Sequence, residues 1–223
     1  MRALALLSLA ACGDVPPLCI ADSFDADAVD ARRWKLGAPA QLATRGGRLE
    51  LALPAGMPLN VFVSSLQAID LDGRAAEVDV ARYLRAEAAT QSEMAVLIDN
   101  DNELLVKASA GTLYFQIRVG GVDEAAPMTV AADGAIDGWR IAHDAGADVV
   151  RFETRRAGAW TAQRMVARPF SLAAVKVQLE ADALGAGASA PDVAAFSDLR
   201  IAGEPACSDG HEYDEHHGPY GPP

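Results

Sequence analysis

Tyr114, Gln116 and Arg118 occupy alternate positions of a short segment whose intervening residues are apolar. Because alternate side chains of a strand point to one face, the three form one predicted outward row. An aromatic ring can stack on the apolar face of a sugar, while amide and guanidinium groups hydrogen-bond its hydroxyls. The row is therefore a candidate saccharide site, and the alternative is ordinary solvated strand surface. Arg82 and Tyr83 are a second candidate pair.

The segment Asp99-Asn100-Asp101-Asn102-Glu103 concentrates oxygen donors. Calcium takes about 6–8 oxygen ligands, and the segment begins like a calcium loop. It lacks a downstream glycine or bidentate acid at loop spacing, and Asp and Asn are also ordinary residues of hairpin turns. Calcium binding is therefore weakly supported, and we predict no cofactor.

The C-terminal segment, residues 205–223, is rich in Gly, Pro, His and acidic residues, and we predict it to be disordered. His211, His216 and His217 with the neighbouring acids are potential ligands of Zn²⁺, Ni²⁺ or Cu²⁺. No second group that would orient them can be identified, so we predict no metal site. A Gly-x-Ser-x-Gly elbow and a phosphate-binding Gly-rich loop are missing from the sequence, and no catalytic residue is predicted from such motifs.

The N-terminus contains Arg2, an apolar run over residues 3–10, and the sequence Leu9-Ala10-Ala11-Cys12. The run is far shorter than the about 20 apolar residues that cross a membrane. This order resembles the lipobox of bacterial lipoproteins, which implies that residues 1–11 are a signal peptide, that Cys12 is acylated and that residues 12–17 are a short tether. In such proteins an aspartate after the cysteine favours the inner membrane, so Gly13 favours the outer membrane. The alternative is an apolar terminal strand or helix that ends in cysteine.

The formal charge of the 223-residue chain is −12. This charge argues against nucleic acid, whose phosphates require a basic surface, and against a polybasic membrane contact, which leaves lipid as the membrane anchor. Cys19 and Cys207 remain once Cys12 is set aside. In an exported protein such a pair predicts a disulfide, here between the two ends of the domain, and the alternative is two unrelated thiols.

Apolar and polar residues alternate with a period of two through most of residues 48–201. Such segments are typical of strands with one face on a core and the other in water. Turn sequences such as Asp72-Gly73 and Asp133-Gly134 separate them. About a dozen short strands predict an all-β fold, an antiparallel sandwich or barrel, in one domain over residues 18–204. A possible helix over residues 81–90 is better explained as a strand end and a loop.

Several aromatic segments have a characteristic order along the chain. They are Phe24-Asp25, Trp34, Gly47-Arg48-Leu49-Glu50-Leu51, Asp137-Gly138-Trp139-Arg140-Ile141, Val150-Arg151-Phe152-Glu153-Thr154, Ala159-Trp160 and Phe196-Ser197-Asp198-Leu199-Arg200-Ile201. The series resembles modules of the concanavalin A-like lectin/glucanase superfamily, including its laminin-G-like members, over roughly residues 18–202. The resemblance implies a jelly roll of two curved antiparallel sheets. In that superfamily the concave sheet binds saccharides, and some members hydrolyse them.

The glucanases of this superfamily have a strand motif Glu-x-Asp-x-(x)-Glu on the concave sheet, and Glu77-Val78-Asp79-Val80 resembles its beginning. The resemblance implies Glu77 as the nucleophile and Asp79 as its helper. The third acid should fall at Ala81 or Arg82, and neither can protonate a leaving group. A retaining glycosidase needs a second carboxyl about 5–5.5 Å from the first. We therefore predict no enzyme activity and keep Glu77 and Asp79 as candidate ligand-binding residues.

Together these features predict a lipid-anchored protein of the bacterial cell envelope with a noncatalytic jelly-roll module that binds a saccharide or another polymer. One alternative is a structural lipoprotein that contacts other envelope proteins, and another is a degenerate glycoside hydrolase. A saccharide binder should have a cleft with exposed aromatic rings on one sheet, whereas a scaffold should have a continuous apolar patch.

Overall fold

The computed structural model describes residues 21–202. This part of the chain contains sixteen β-strands and one 3-10 turn, Pro39–Gln41, and no α-helix. The strands are β1 (Ala21–Asp22), β2 (Trp34–Gly37), β3 (Leu42–Thr44), β4 (Leu49–Leu53), β5 (Leu59–Ser65), β6 (Ala75–Arg82), β7 (Thr90–Asp99), β8 (Asn102–Ser109), β9 (Thr112–Val119), β10 (Val122–Asp123), β11 (Met128–Ala131), β12 (Gly138–Asp144), β13 (Val149–Arg156), β14 (Ala159–Ala167), β15 (Lys176–Ala183) and β16 (Asp192–Ala202). The predicted all-β fold is confirmed. It has more strands than predicted because β1, β2, β3, β10 and β11 are too short to show an alternating pattern.

The strands form two antiparallel sheets, which we call the back sheet and the front sheet. The back sheet has the order β14-β13-β12-β6-β16-β4-β3, with β1 paired to β16. The front sheet has the order β10-β9-β8-β7-β15-β5-β2, with β11 paired to β9. Long connections place β16 between β4 and β6, and β15 between β5 and β7, so the sandwich is the predicted jelly roll.

The aromatic residues that carry the resemblance lie between the two sheets. Trp34, Trp139 and Phe196 are each at most 2% exposed. The rings of Trp139 and Phe196 meet edge to face at 5.8 Å. Trp139 Nε1 donates a hydrogen bond to the Tyr83 hydroxyl at 3.3 Å, which satisfies the buried indole nitrogen. These residues therefore specify the fold rather than a site.

Residues 83–89 connect β6 to β7 without a helix, as the sequence predicts. The connection carries the chain from the back sheet to the front sheet. As a result β7 lies in the middle of the front sheet, between β8 and β15.

Candidate functional site

The outer face of the front sheet forms an open cleft of about 570 Å³. Five neighbouring strands, β5, β15, β7, β8 and β9, supply its floor in continuous antiparallel register. Side chains directly opposite one another on such strands are neighbours on one face, so they form rows that cross the sheet. The register therefore decides which polar side chains meet in the cleft.

One row crosses the middle of the cleft, where Phe62, Glu180, Glu93 and Lys107 line it, and continues on the same face to Tyr114 at its edge. Each member stands directly opposite the next across two paired strands. At about 4.8 Å per strand the four steps span about 19 Å. The two carboxyl groups therefore stand side by side, with a half-buried aromatic ring at each end of the row.

Glu93 and Glu180 are the most perturbed acids of the cleft, being 9% and 8% exposed. Burial raises the pKa of the Glu93 carboxyl to about 7, against the lowering effect of Lys107. Burial, reinforced by the nearby carboxyls of Asp182 and Glu93, raises the pKa of Glu180 to about 9. At neutral pH the pair therefore retains at least one proton.

The two glutamates differ in their hydrogen-bond partners. Gln178 Nε2 donates to Glu180 Oε2 at 2.5 Å. The Glu93 carboxyl forms no hydrogen bond and no ion pair with any other residue of the range 21–202. Glu93 is thus a buried polar side chain that lines the cleft and lacks such a partner.

Asp182 stands in the adjacent row of the cleft. Its two carboxylate oxygens accept hydrogen bonds from Asn60 Nδ2 at 2.7 Å and from Gln91 Nε2 at 2.9 Å. Asn60 and Gln91 are its direct neighbours on β5 and β7. We call Glu93, Glu180 and Asp182 the carboxyl triad.

Two lysines of the cleft, Lys107 and Lys35, lie beside aromatic rings. Lys107 Nζ lies 3.2 Å from Gln116 Oε1 and 5.7 Å from the centre of the Tyr114 ring. At the other end, Lys35 Nζ lies 5.8 Å from the centre of the Phe62 ring. Each ring therefore has a cation near its face, as in cation–π pairs.

An apolar patch lies on the outer face of the front sheet beside the acidic rows. Ala95, Leu97 and Leu105 form a small buried cluster on this outer face, separate from the main core. Ala95 stands opposite Leu105 in the β7–β8 register. The carboxyl groups thus lie beside an apolar patch, and Glu103, Arg118 and Lys176 line the cleft beyond it.

The structure places Tyr114, Gln116 and Arg118 on the cleft face of β9, in the rows of Lys107, Leu105 and Glu103. Arg118 lines the cleft, but its guanidinium already contacts Glu103 Oε2 at 3.0 Å. Gln116 is buried. Their predicted role in ligand binding stays a prediction.

Glu77 and Asp79 lie on the opposite side of the molecule, although the resemblance placed them on the sheet that carries the cleft. They belong to β6, which is a back-sheet strand. Glu77 accepts hydrogen bonds from Arg140 Nε at 2.8 Å and from Arg200 Nε at 3.0 Å. Asp79 Oδ1 accepts one from Arg155 Nη1 at 2.8 Å. The structure does not bring these two acids together with the Tyr114 row. Their carboxylates form ion pairs with arginines of the back sheet.

The two remaining predicted features are the oxygen-rich segment 99–103 and the pair Arg82 and Tyr83. Asp99 Oδ1 accepts hydrogen bonds from the Asp101 amide and from Asn102 Nδ2, both at 3.0 Å, within the β7–β8 turn. Among residues 21–202 no group of three or more His, Cys, Asp or Glu side chains is arranged to hold a metal ion. Arg82 is ion-paired at 3.0 Å, and Tyr83 packs on a core ring.

The carboxyl triad was not predicted from the sequence. Lys176, Gln178 and Glu180 do show the alternation that turns them away from the core. However, Glu93 and Glu180 are far apart in the chain, and their pairing depends on β15 entering the sheet beside β7. The local sequence pattern of β15 does not show that β7 is its neighbour in the sheet.

Other predictions concern the two ends of the chain. Cys12, Cys19, Cys207 and the segment 205–223 lie outside the described residues. Acylation, the disulfide and tail disorder stay predictions. In the described range no helix is long and apolar enough to cross a membrane.

The comparisons with known proteins give structural matches. No family model and no curated protein matches the sequence. An uncharacterized protein from Mycobacterium paratuberculosis is 17% identical with a TM-score of 0.65, over 82% of this chain and 99% of its own. An immunostimulatory antigen and pseudo β-1,3-glucanase of Mycobacterium tuberculosis is 12% identical with a TM-score of 0.63, over 83% and 98%. A non-specific endo-β-1,3(4)-glucanase from family GH16 is 12% identical with a TM-score of 0.63, over 82% and 89%.

Identities this low show a shared fold and not a shared activity. The matched proteins themselves include a glucanase and a pseudo-glucanase. The chain has the jelly-roll fold of the concanavalin A-like lectins and glucanases.

Proposed function

We propose that this chain binds a saccharide in the front-sheet cleft without hydrolysing it. The observation that carries the proposal is the central row, in which the Phe62 and Tyr114 rings flank buried hydrogen-bonding groups about 19 Å from end to end. Rings suit the apolar faces of sugars, and carboxyl and amide groups suit their hydroxyls. The glucanase among the structural matches supports the same ligand class.

The carboxyl pair argues for binding rather than catalysis near neutral pH. A retaining glycosidase needs one protonated and one ionised carboxyl, with environments that push their pKa values apart. Here burial raises the pKa of Glu93 to about 7 and that of Glu180 to about 9. At neutral pH Glu180 is therefore protonated and Glu93 is only partly ionised, so the pair lacks a fully ionised nucleophile. The third acid, Asp182, has its oxygens engaged by two amides.

A second candidate function is glycan hydrolysis. Glu180 stands directly opposite Glu93. Such neighbours have Cβ atoms about 4.5–5.5 Å apart, close to the about 5–5.5 Å between the carboxyls of a retaining enzyme. Release of reducing ends from a glucan, abolished by Glu180→Gln, would favour this candidate over binding.

We also propose that acyl chains on Cys12 hold the protein at the cell envelope, with the outer membrane favoured by Gly13. Two or more chains give stable anchoring, since each buried CH₂ contributes about 0.8 kcal/mol. A Cys12→Ser variant should leave the membrane fraction, and its retention there would contradict the proposal.

The test of saccharide binding is a glycan array followed by titration of the full chain with the best ligand. Phe62→Ala and Tyr114→Ala should each weaken binding about two- to tenfold, since an aromatic contact contributes about 0.5–1.5 kcal/mol. Trp160→Ala is the matched control, because Trp160 lies on the back sheet, 4.2 Å from the Arg140 guanidinium. Absence of any glycan ligand, or equal losses in all three variants, would overturn the proposal and favour the protein-contacting scaffold.

A further inference from the structure

The buried acids of the back sheet are neutralised by arginine, and those of the cleft are not. Glu77 lies between two guanidinium groups, with Arg140 Nη2 at 2.5 Å and Arg200 Nη2 at 2.8 Å. Asp192 is 3.0 Å from Arg82 Nη2. By contrast, no member of the carboxyl triad forms an ion pair with a Lys or Arg of the described range.

Glu93 shows most directly that a partner is missing from the triad. Its side chain is nine-tenths buried, lines the cleft, and has neither a hydrogen-bond nor an ion-pair partner among residues 21–202. Lys107 stands opposite it, but its ammonium group bonds Gln116 instead. Its carboxyl oxygens are open to the cleft, where a positively charged donor from outside can reach them and stabilise their ionised form.

The remaining charges of the cleft lie away from the triad. Lys176 stands opposite Leu97, two rows from Glu93. Arg118 is neutralised by Glu103 and Asp123 at 3.0 and 2.7 Å. Lys107 is therefore the cation beside the triad, and its ammonium group lies 3.2 Å from Gln116 Oε1 rather than in an ion pair with Glu93.

Among residues 21–202 no group of three or more His, Cys, Asp or Glu side chains is arranged to hold a metal ion, so the cation we consider is an organic one. An ammonium group carries one positive charge and three donors, and the triad supplies three carboxyls on adjoining strands. A hydroxyl can hydrogen-bond the same oxygens, but it does not favour their ionised form as a cation does.

We propose that the carboxyl triad Glu93, Glu180 and Asp182 binds the primary ammonium group of a saccharide that carries free amino groups. The inference rests on the proposed function, since it places that saccharide along the central row. The Phe62 and Tyr114 rings then contact the neighbouring sugar units on either side.

Proton release accompanies this binding. Burial raises the pKa of both glutamates, so the free cleft holds protons at neutral pH. A bound ammonium group favours the ionised carboxyls and expels those protons. The affinity therefore rises with pH until the ligand amine itself begins to lose its charge.

The test compares glucosamine oligosaccharides with N-acetylglucosamine oligosaccharides of equal length, titrated into the full chain by calorimetry. The amine oligomer should bind at least tenfold more tightly, and repetition in two buffers of different ionisation heat should show net proton release. Glu93→Gln and Glu180→Gln keep the side-chain volume and should remove the preference. Glu50→Gln is the control, since Glu50 is a partly exposed acid on β4 of the back sheet.

The outcomes separate the two proposals. Equal or tighter binding of the acetylated oligomer, or a preference that survives both glutamine variants, overturns the ammonium site and leaves saccharide binding standing. Binding of uncharged glucans alone has the same meaning. Failure of every saccharide to bind overturns both proposals.

Discussion

Replacing Glu77 with alanine tests whether this acid supports the fold rather than a ligand. Its side chain is 3% exposed and forms ion pairs with Arg140 and Arg200. Removing one partner of a buried ion pair costs about 3–5 kcal/mol, because the other charge is left uncompensated. Arg200 is 45% exposed and regains hydration in the variant, and Arg140 keeps its ion pair with Glu153 at 2.9 Å. We therefore expect the lower end of that range, about 3 kcal/mol.

A loss of about 3 kcal/mol lowers the Tm of a domain of this size by about 6–12 °C. The assay is urea unfolding and a thermal melt of the wild type and Glu77→Ala. The matched control is Glu50→Ala, which removes the more exposed ion pair between Glu50 and Arg45, whose charged atoms lie 3.6 Å apart. Such pairs contribute about 0–1 kcal/mol.

Equal, small losses for Glu77→Ala and Glu50→Ala would refute this reasoning. So would a Glu77→Ala variant that keeps its stability and loses glycan binding, because that result would place the ligand on the back sheet. We expect the opposite pattern, with lower stability and the same affinity for the cleft ligand once the variant is folded.

Three further predictions concern stability. Because the folded-state pKa values of Glu93 and Glu180 lie at about 7 and about 9, above the ordinary 4.5, the folded state holds protons that the unfolded state releases. Stability should therefore rise as the pH falls from about 9 towards 5, and a Tm that is flat or falls over that range contradicts the assignment. Phe115→Ala removes a ring that is fully buried, and should cost about 3–5 kcal/mol in urea unfolding; a cost below about 1 kcal/mol would show that the core there can collapse. Gly187→Ala should lower the melting temperature far more than Gly158→Ala, although the two glycines have similar φ angles of +84° and +80°. A Cβ at position 187 would lie 2.3 Å from the backbone nitrogen of Met57, whereas a Cβ at position 158 would have no atom within 4 Å. Similar melting temperatures for the two alanine variants would argue against that close packing.

The strands with a clean alternation were predictable from the sequence. In Leu49–Leu53 the three leucines are at most 1% exposed while the residues between them are half-buried, because one face packs and the other meets solvent. The aromatic segments likewise predicted a core, and Trp34, Trp139 and Phe196 form part of it. These predictions succeed because the information lies within a few neighbouring residues.

The candidate site was not predictable in the same way. Strand alternation shows that Glu180 turns away from the core, but not which side chain stands opposite. Glu77 lies in an alternating segment, whereas Glu93 lies between a polar run and an apolar run that show no alternation. Neither pattern shows that Glu77 is paired with arginine on the back sheet or that Glu93 lies in the cleft without such a pair.

The sequence by itself determined that this chain is an all-β sandwich, since the period-two alternation and the spacing of the aromatic residues are local properties of the chain. The tertiary structure alone decided which acids meet. The order of strands in each sheet is set by long connections, and these bring β15 between β5 and β7. That placement gathers Glu93, Glu180 and Asp182 into one cleft, because side chains from distant segments become neighbours once their strands pair in register.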